Sequence, residues 1–273
     1  METLTLDTPG IDTLAGVGPF WPLPALPAPF RAFFTTRLAG TSEGTYGSLN
    51  LALHVGDNPS RVRENRRLVF DAEKVDVNRV VVAQQVHGAT AAVVTADDAG
   101  RGGFTHRDAI PSADAIVTST ANLPLMCLSA DCLLLALADA QSRTLAVLHA
   151  GWRGMAAGVI ENTISSMQKA GASPVNLQVV SGPSIGPCCF EVGADVVSAL
   201  GSEHVVQQIG EKAMYDLRAA ARARLLRCGV LGSQIELDTA CTSCRADLLF
   251  SHRRAVRSGA KQTGRMGLVA WVK

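Results

Sequence analysis

The longest apolar stretch of the chain, Leu123 to Ala138, is broken near its centre by Asp131. A helix that spans a bilayer needs about 20 apolar residues, so this stretch is too short, and it carries an acid where lipid would lie. It belongs in the interior of a folded protein. Shorter β-branched or apolar runs surround it: Val80 to Val82, Thr90 to Val94, Ala115 to Val117, Leu123 to Leu128, Leu145 to Leu148 and Leu177 to Val180. Their length and bounding turn residues predict strands. Helical patterns lie between and after them. Pro59 to Phe70 is opened by Asp57 or Asn58, Met155 to Lys169 ends at Gly171, Tyr215 to Cys228 is closed by Gly229, and Val192 to Leu200 is a fourth. Proline suits a first turn and glycine the residue after the last one. The two element types are interleaved without regular alternation, which predicts mixed sheets rather than a doubly wound parallel sheet.

With 273 residues, 47% of them apolar and 18% charged, the chain has the makings of a compact core without disulfide staples. The formal net charge is only +1, so global charge points to neither a nucleic-acid nor an anionic-membrane partner. The basic run Arg218 to Arg227 reads as the solvated face of an amphipathic helix. Residues 1–30 hold Pro19, Pro22, Pro24, Pro27 and Pro29 and read as an extended N-terminal segment. Residues 31–273 contain no linker-like stretch and read as one domain. Seven cysteines form no even framework, and the first thirty residues lack a basic segment followed by an apolar one. Free thiols in the cytoplasm are the expectation.

Three residues sit where apolar runs end. His87 follows Val80 to Val86, Cys132 follows Leu125 to Asp131, and His149 follows Leu145 to Leu148. Strand ends are where side chains from distant segments meet in one cleft. Two imidazoles and a thiolate suit zinc, and three protein ligands leave a fourth position open, as catalytic sites require. Copper(I) accepts the same set. Singly, each has a plainer reading: Cys132 as a small core residue, and either histidine as a capped or exposed polar group. Sequence spacing does not choose between them.

The segments Gln85-Val-His-Gly88, Ser129-Ala-Asp-Cys132 and His149-Ala-Gly-Trp-Arg-Gly154, in that order, resemble the laccase-domain family, also called multicopper polyphenol oxidase or YfiH-like. Further matches are Thr35-Thr-Arg37, Ser48-Leu-Asn-Leu51, His54-Val-Gly-Asp57, Gly182 through Gly193 and Thr263-Gly-Arg-Met266, so the resemblance runs from about residue 33 to the end. It implies an α+β fold, one domain of packed mixed β-sheets with outer helices, similar to toxin deamidases. It also implies zinc bound by His87, Cys132 and His149. The activity implied is purine nucleoside phosphorylase (adenosine, inosine, guanosine, methylthioadenosine, with phosphate) together with adenosine deamination. Two departures stand out: Ser251-His-Arg-Arg254 replaces the family's Ser-Tyr-Arg-Arg, and Leu134 replaces a proline.

Arg153, at a helix start, and Arg37, near Gly40, Gly44 and Gly47, are candidate phosphate or ribose contacts. Asn50 is a candidate substrate contact, and His54 reads as structural. Asp131 is the candidate to orient a ligand from behind. Cys188 and Cys189 read as packing, because adjacent cysteines rarely share an ion. Cys241 and Cys244 form a C-x-x-C that has no second pair to close a zinc site, and they read likewise. Two rival activities follow from the same resemblance. One is a thiol amidase with Cys132 as nucleophile and His149 or His87 as base, editing misincorporated serine in peptidoglycan precursors. The other is a copper-dependent phenol oxidase, for which six histidines are few. No motif specifies an oligomeric state.

Overall fold

The computed structural model describes residues 18–273. Of the expected N-terminal segment, residues 1–17 therefore lie outside the described residues. The chain then runs through β1 (Phe20–Trp21), β2 (Phe30–Thr35), α1 (Pro59–Ala72), β3 (Val81–Val82), β4 (Ala91–Val93), β5 (Ala115–Thr118) and β6 (Leu125–Ser129). Next come β7 (Leu133–Asp139), β8 (Thr144–Ala150), α2 (Trp152–Ala156), α3 (Val159–Lys169), β9 (Gln178–Ser181), β10 (Glu191–Val192) and α4 (Ala194–Leu200). The last are β11 (Val205–Ile209), β12 (Lys212–Tyr215), α5 (Leu217–Arg227), β13 (Ile235–Glu236), α6 (His252–Arg257) and β14 (Met266–Val272).

The strands form a five-stranded sheet ordered β1-β2-β14-β6-β3, a six-stranded sheet ordered β13-β9-β7-β8-β5-β4, and a small sheet ordered β10-β12-β11. Both large sheets are mixed: β3–β6, β4–β5 and β13–β9 pair in parallel, and the other pairs are antiparallel. Period-two alternation along β7 explains how they stack. Leu134, Ala136 and Ala138 join Phe34, Cys127 and Leu268 of the five-stranded sheet. Leu133, Leu135 and Leu137 face the other way, into a cluster with Ile160 and Ile164 of α3 and Leu217, Ala221 and Leu225 of α5. On the far side of the five-stranded sheet, Phe33, Met126, Val269 and Trp271 pack with Val69 and Phe70 of α1. The order of layers is thus helix, sheet, sheet, helices, the α+β arrangement with outer helices that the sequence resemblance implied. Each leucine wholly removed from water in this stack contributes roughly 1.5–3 kcal/mol before chain entropy is counted.

Several local readings need correction. Leu133–Asp139 is a strand buried on both faces, and such a strand reads as a continuous apolar run without alternation. Phe30–Thr35 and Met266–Val272 were likewise not expected as strands, yet they pair with each other at the centre of the five-stranded sheet. The expected helix from Met155 to Lys169 is two helices, separated at Gly158, whose φ of 91° no continuous right-handed helix contains. Tyr215 ends β12, and α5 begins only after Asp216, whose carboxylate accepts from the Arg218 and Ala219 N–H groups. The cap of α1 is Asn58, which accepts from Ser60 N–H.

The basic run on α5 is not a free solvated face. Arg218 donates to the Asp238 and Ala240 carbonyls, Arg222 to the Ile235 and Gly232 carbonyls, and Arg224 pairs with Glu161 at 2.8 Å. Among the described residues, no helix is long and apolar enough to cross a membrane.

Candidate functional site

Two turns and one strand deliver His87, Cys132 and His149 to a common point. His149 lies on β8, opposite Leu134 of β7, and is 3% exposed. Cys132 sits in the tight turn from β6 to β7. Its neighbour Asp131 has a φ of 94°, a conformation that costs a non-glycine residue of order 1 kcal/mol and persists only where the surroundings demand it. They do so here: the Asp131 carboxylate accepts from Thr242 Oγ1 at 2.5 Å and Arg253 N–H at 2.6 Å, and its carbonyl accepts from Ile185 N–H at 2.8 Å. Asp131 therefore holds the turn that carries Cys132. It was expected to orient a ligand, but it makes no contact with either imidazole.

That role falls to Asp114, which the sequence reading passed over. One carboxylate oxygen lies 2.8 Å from His149 Nδ1. The same carboxylate accepts the backbone N–H groups of Val86, His87 and Gly88 at 3.1, 3.0 and 2.7 Å, and the Asp114 carbonyl accepts from His149 N–H at 2.7 Å. A single buried acid thus fixes one histidine by its ring and the other by its backbone. Burial works against ionisation, but the His149 ring and the N–H groups of Gly88 and Val86 hold the carboxyl below its ordinary value. Only a short Ala-Asp-Ala surrounds it in sequence, so no local signal marked it.

With Nδ1–H directed at Asp114, His149 presents Nε2 to the site. Its ring meets that of His87 edge to face, with centroids 4.7 Å apart. Cys132 Sγ lies 3.9 Å from His87 Nε2, and the three donor atoms all lie within 4.8 Å of one another. Tetrahedral zinc with bonds of about 2.0–2.3 Å separates neighbouring N and S donors by about 3.3–3.6 Å, so these residues fit the ion. Gly151 keeps the space beside them clear: a Cβ there would come 3.0 Å from both Cys132 Sγ and His87 Cδ2. Gly154 serves closeness of another kind, since its Cβ would meet the Gly88 carbonyl at 2.6 Å. Burial pushes the Cys132 thiol up, but His149 and His87 outweigh it and bring the thiol to about 6. Burial lowers His149, whereas the Cys132 sulfur and Asp114 raise it to about 9.

The three donors lie at the base of a cleft of about 400 Å³, a size that accommodates a small metabolite. Trp152, Ile185 and Phe190 supply apolar wall, and Arg153, Arg253 and Arg265 supply positive charge. Arg153 is exposed and stacks over Trp152, its guanidinium 4.3 Å from the ring centre. Burial, together with the neighbouring His106, Arg265 and Arg66 side chains, lowers His54 to about 4, and burial with Arg265 also lowers His252, so both line the cleft as neutral imidazoles near pH 7. A larger depression of about 540 Å³ beside α5 and Asp238 contains none of the three donors.

Two expected substrate contacts lie elsewhere. Arg37 donates to the Gly47 and Ala246 carbonyls and stacks on Phe250, so its fork is already occupied, and it does not line the cleft. Asn50 is wholly buried. Its amide donates to the Ala52 carbonyl and to Asp57, and its oxygen accepts from the backbone of Ala52 and Arg265. It positions Arg265 rather than substrate. His54, read as structural, lines the cleft instead. Arg253 and His252 lie in Ser251-His-Arg-Arg254, a motif the sequence displayed without revealing where it points.

Convergent donors oriented by a buried carboxylate, in a charged cleft on a rigid two-sheet scaffold, define an enzyme. Residues 31–273 match the family described as multi-copper polyphenol oxidoreductase laccase. The chain is 36% identical to purine nucleoside phosphorylase YfiH of Escherichia coli over 93% of this chain and 97% of that protein. It is 36% identical to purine nucleoside phosphorylase YlmD of Geobacillus stearothermophilus over 82% and 84%. Adenosine deaminase RL5, from an unknown prokaryotic organism, is 34% identical over 86% and 92%. The crystal structure of YlmD from Geobacillus stearothermophilus superposes with a TM-score of 0.86, at 34% identity, over 90% of this chain and 93% of that one. The chain belongs to the laccase-domain, YfiH-like family.

Proposed function

We propose that this chain is a zinc-dependent purine nucleoside phosphorylase, acting on adenosine, inosine, guanosine and methylthioadenosine, with adenosine deaminase activity. The observation that carries the reading is the meeting of His87, Cys132 and His149, tied through Asp114, at the base of an arginine-lined cleft. The names borne by relatives at about 35% identity support it. When bound, zinc supplies a Lewis acid and lowers the pKa of a coordinated water toward ~7.

The chain's own groups supply the rest. Asp114 holds the proton on His149 Nδ1 and so keeps Nε2 as a donor throughout. Arg153, Arg253 and Arg265 offset the charge of phosphate as the glycosidic bond breaks. Arg37, the other arginine expected to serve phosphate, acts instead as a brace for the 47 and 246 carbonyls. Ile185 and Phe190 offer apolar surface to the purine and exclude water around it.

The direct test is to incubate metal-loaded protein with adenosine and phosphate and resolve the products. Adenine with ribose 1-phosphate reports phosphorolysis of adenosine, inosine reports deamination, and hypoxanthine with ribose 1-phosphate reports phosphorolysis of the inosine so formed. Absence of all of them from metal-loaded protein rejects the proposal. A second reading, a thiol amidase, draws on the alignment of Cys132, His149 and Asp114, in which an acid orients a base that faces a sulfur. The two separate on chelation, because amide cleavage by a Cys–His pair survives removal of metal and zinc chemistry does not. The phenol-oxidase reading draws on the family's name, but only two histidines join a metal-competent group among the described residues.

A further inference from the structure

Four cysteines that the catalytic reading leaves unused meet on the side of the molecule where two long loops join. The first loop follows β9 and carries Cys188 and Cys189. The second follows β13 and carries Cys241 and Cys244. A parallel bridge between Ser184 and Cys241, with Thr242 N–H donating to the Ser184 carbonyl at 3.0 Å, aligns them. Each loop then turns sharply. Cys189 and Phe190 N–H both donate to the Gly186 carbonyl, and Cys244 and Arg245 N–H both donate to that of Cys241. These turns defeat the usual divergence of adjacent side chains. Cys188 Sγ and Cys189 Sγ come to 3.6 and 3.5 Å from Cys244 Sγ, and all four sulfurs lie within 4.8 Å of one another. The reading of both pairs as packing residues is therefore corrected: the second pair that a closed thiol site requires is present, 52 positions upstream of Cys241 at its nearest member.

We propose that Cys188, Cys189, Cys241 and Cys244 bind a second zinc ion, a closed four-thiolate site separate from the cleft. Tetrahedral zinc with thiolate bonds of about 2.3 Å sets sulfurs about 3.8 Å apart, within a few tenths of an ångström of the contacts seen. One of the four sulfurs already has a backbone donor aimed at it. Gly186 N–H donates to Cys241 Sγ at 3.2 Å, and a Cβ at position 186 would crowd Arg218 Nη2 at 2.9 Å and Cys241 Cβ at 3.1 Å. Such N–H donors orient and support sulfur ligands. Four thiolates with one divalent cation carry two net negative charges, and guanidinium groups stand nearby. Arg253 donates to the Cys189 carbonyl, Arg254 to the Thr242 and Ser243 carbonyls, and Arg218 lies beside Gly186. Both of the shortest sulfur contacts share Cys244, so only one of them could become a disulfide at a time, whereas one cation engages all four sulfurs. Ion binding would clasp the two loops that seat Ile185 and Thr242 against Asp131, and so would hold the cleft wall from outside.

The test is zinc content of the full chain purified under reducing conditions with zinc supplied. Two equivalents are expected for the natural chain. One is expected for the Cys188→Ser/Cys244→Ser double variant and one for Cys132→Ser, each having lost a different ion. Cobalt loaded into Cys132→Ser, where the cluster is intact, should give the intense sulfur-to-cobalt charge-transfer absorption of a four-thiolate site. This spectrum decides the matter even where the double variant fails to fold. Cobalt-loaded Cys132→Ser without that absorption, a natural chain holding a single zinc that vanishes with Cys132, or a mass two hydrogens short under reducing conditions would each overturn the proposal. The outcome is independent of whether the cleft phosphorolyses nucleosides.

Discussion

The molecule has two places where side chains able to hold a metal ion converge, and they are built in opposite ways. In the cleft, a strand and two turns at strand ends bring two imidazoles and one sulfur together, and a buried carboxylate behind them fixes both histidines. Three donors leave a coordination position facing a cavity of about 400 Å³. At the loop junction, four sulfurs come from two turns, with Cys188 and Cys244 exposed. Four donors close a coordination sphere. The difference follows from what each place must do: an open site needs rigid walls so that substrate meets a defined geometry, while a closed one needs only to hold two chain segments together.

Asp114→Asn should have the largest effect, because it strikes the feature that only the cleft possesses. An amide retains the shape but removes the charge that holds the His149 Nδ1 proton and weakens the acceptor for three backbone N–H groups. Zinc affinity at the cleft should fall by about 10–100-fold, as measured by competition with a chelator of known affinity, and the four-cysteine site should be untouched. Equal loss at both sites would show that the two are not independently built.

A smaller effect separates two arginines that the sequence made look alike. Arg153→Ala should raise the KM for phosphate roughly tenfold, the equivalent of one charge-assisted contact of about 1.5 kcal/mol. Arg37→Ala should leave that KM unchanged and lower stability instead, since it strips hydrogen bonds from the Gly47 and Ala246 carbonyls. Steady-state phosphorolysis at varied phosphate, run beside thermal unfolding, tests both. An unchanged KM in Arg153→Ala would remove that residue from phosphate binding and leave the task to Arg253 and Arg265.

The smallest effect belongs to Cys188→Ser. Cys188 is exposed and reaches the cleft only through the loop that it shares with Ile185. Turnover with saturating substrate should stay within about twofold, while the midpoint of thermal unfolding falls by a few degrees, as loss of about 1 kcal/mol implies for a chain of this size. A large fall in turnover with an unaltered midpoint would mean that the loop junction takes part in the chemistry.

The three residues that converge in the cleft and the family were legible in the order of amino acids because the turns that present them are locally encoded. Gly88, Gly151 and Gly154 stand beside the histidines where neighbouring atoms approach within 2.6–3.5 Å of where a side chain would begin. Such short-range requirements leave short motifs. The layered α+β architecture was legible only through the family resemblance; the apolar runs by themselves predicted mixed sheets, not how those sheets stack. The contacts of Asp114 were decided only by tertiary structure, since an acid between two alanines acquires a role when β5 and β8 pair and bring His149 to it. The same holds for the cysteines, whose pairs are joined by one bridge at Ser184, and for Arg37 and Arg153, which the sequence offered as like candidates while their neighbours in space differ. Local propensity specifies how a chain turns. Which distant groups then share a point depends on how sheets stack and pair, and that information is spread over the whole core rather than written at the residues it unites.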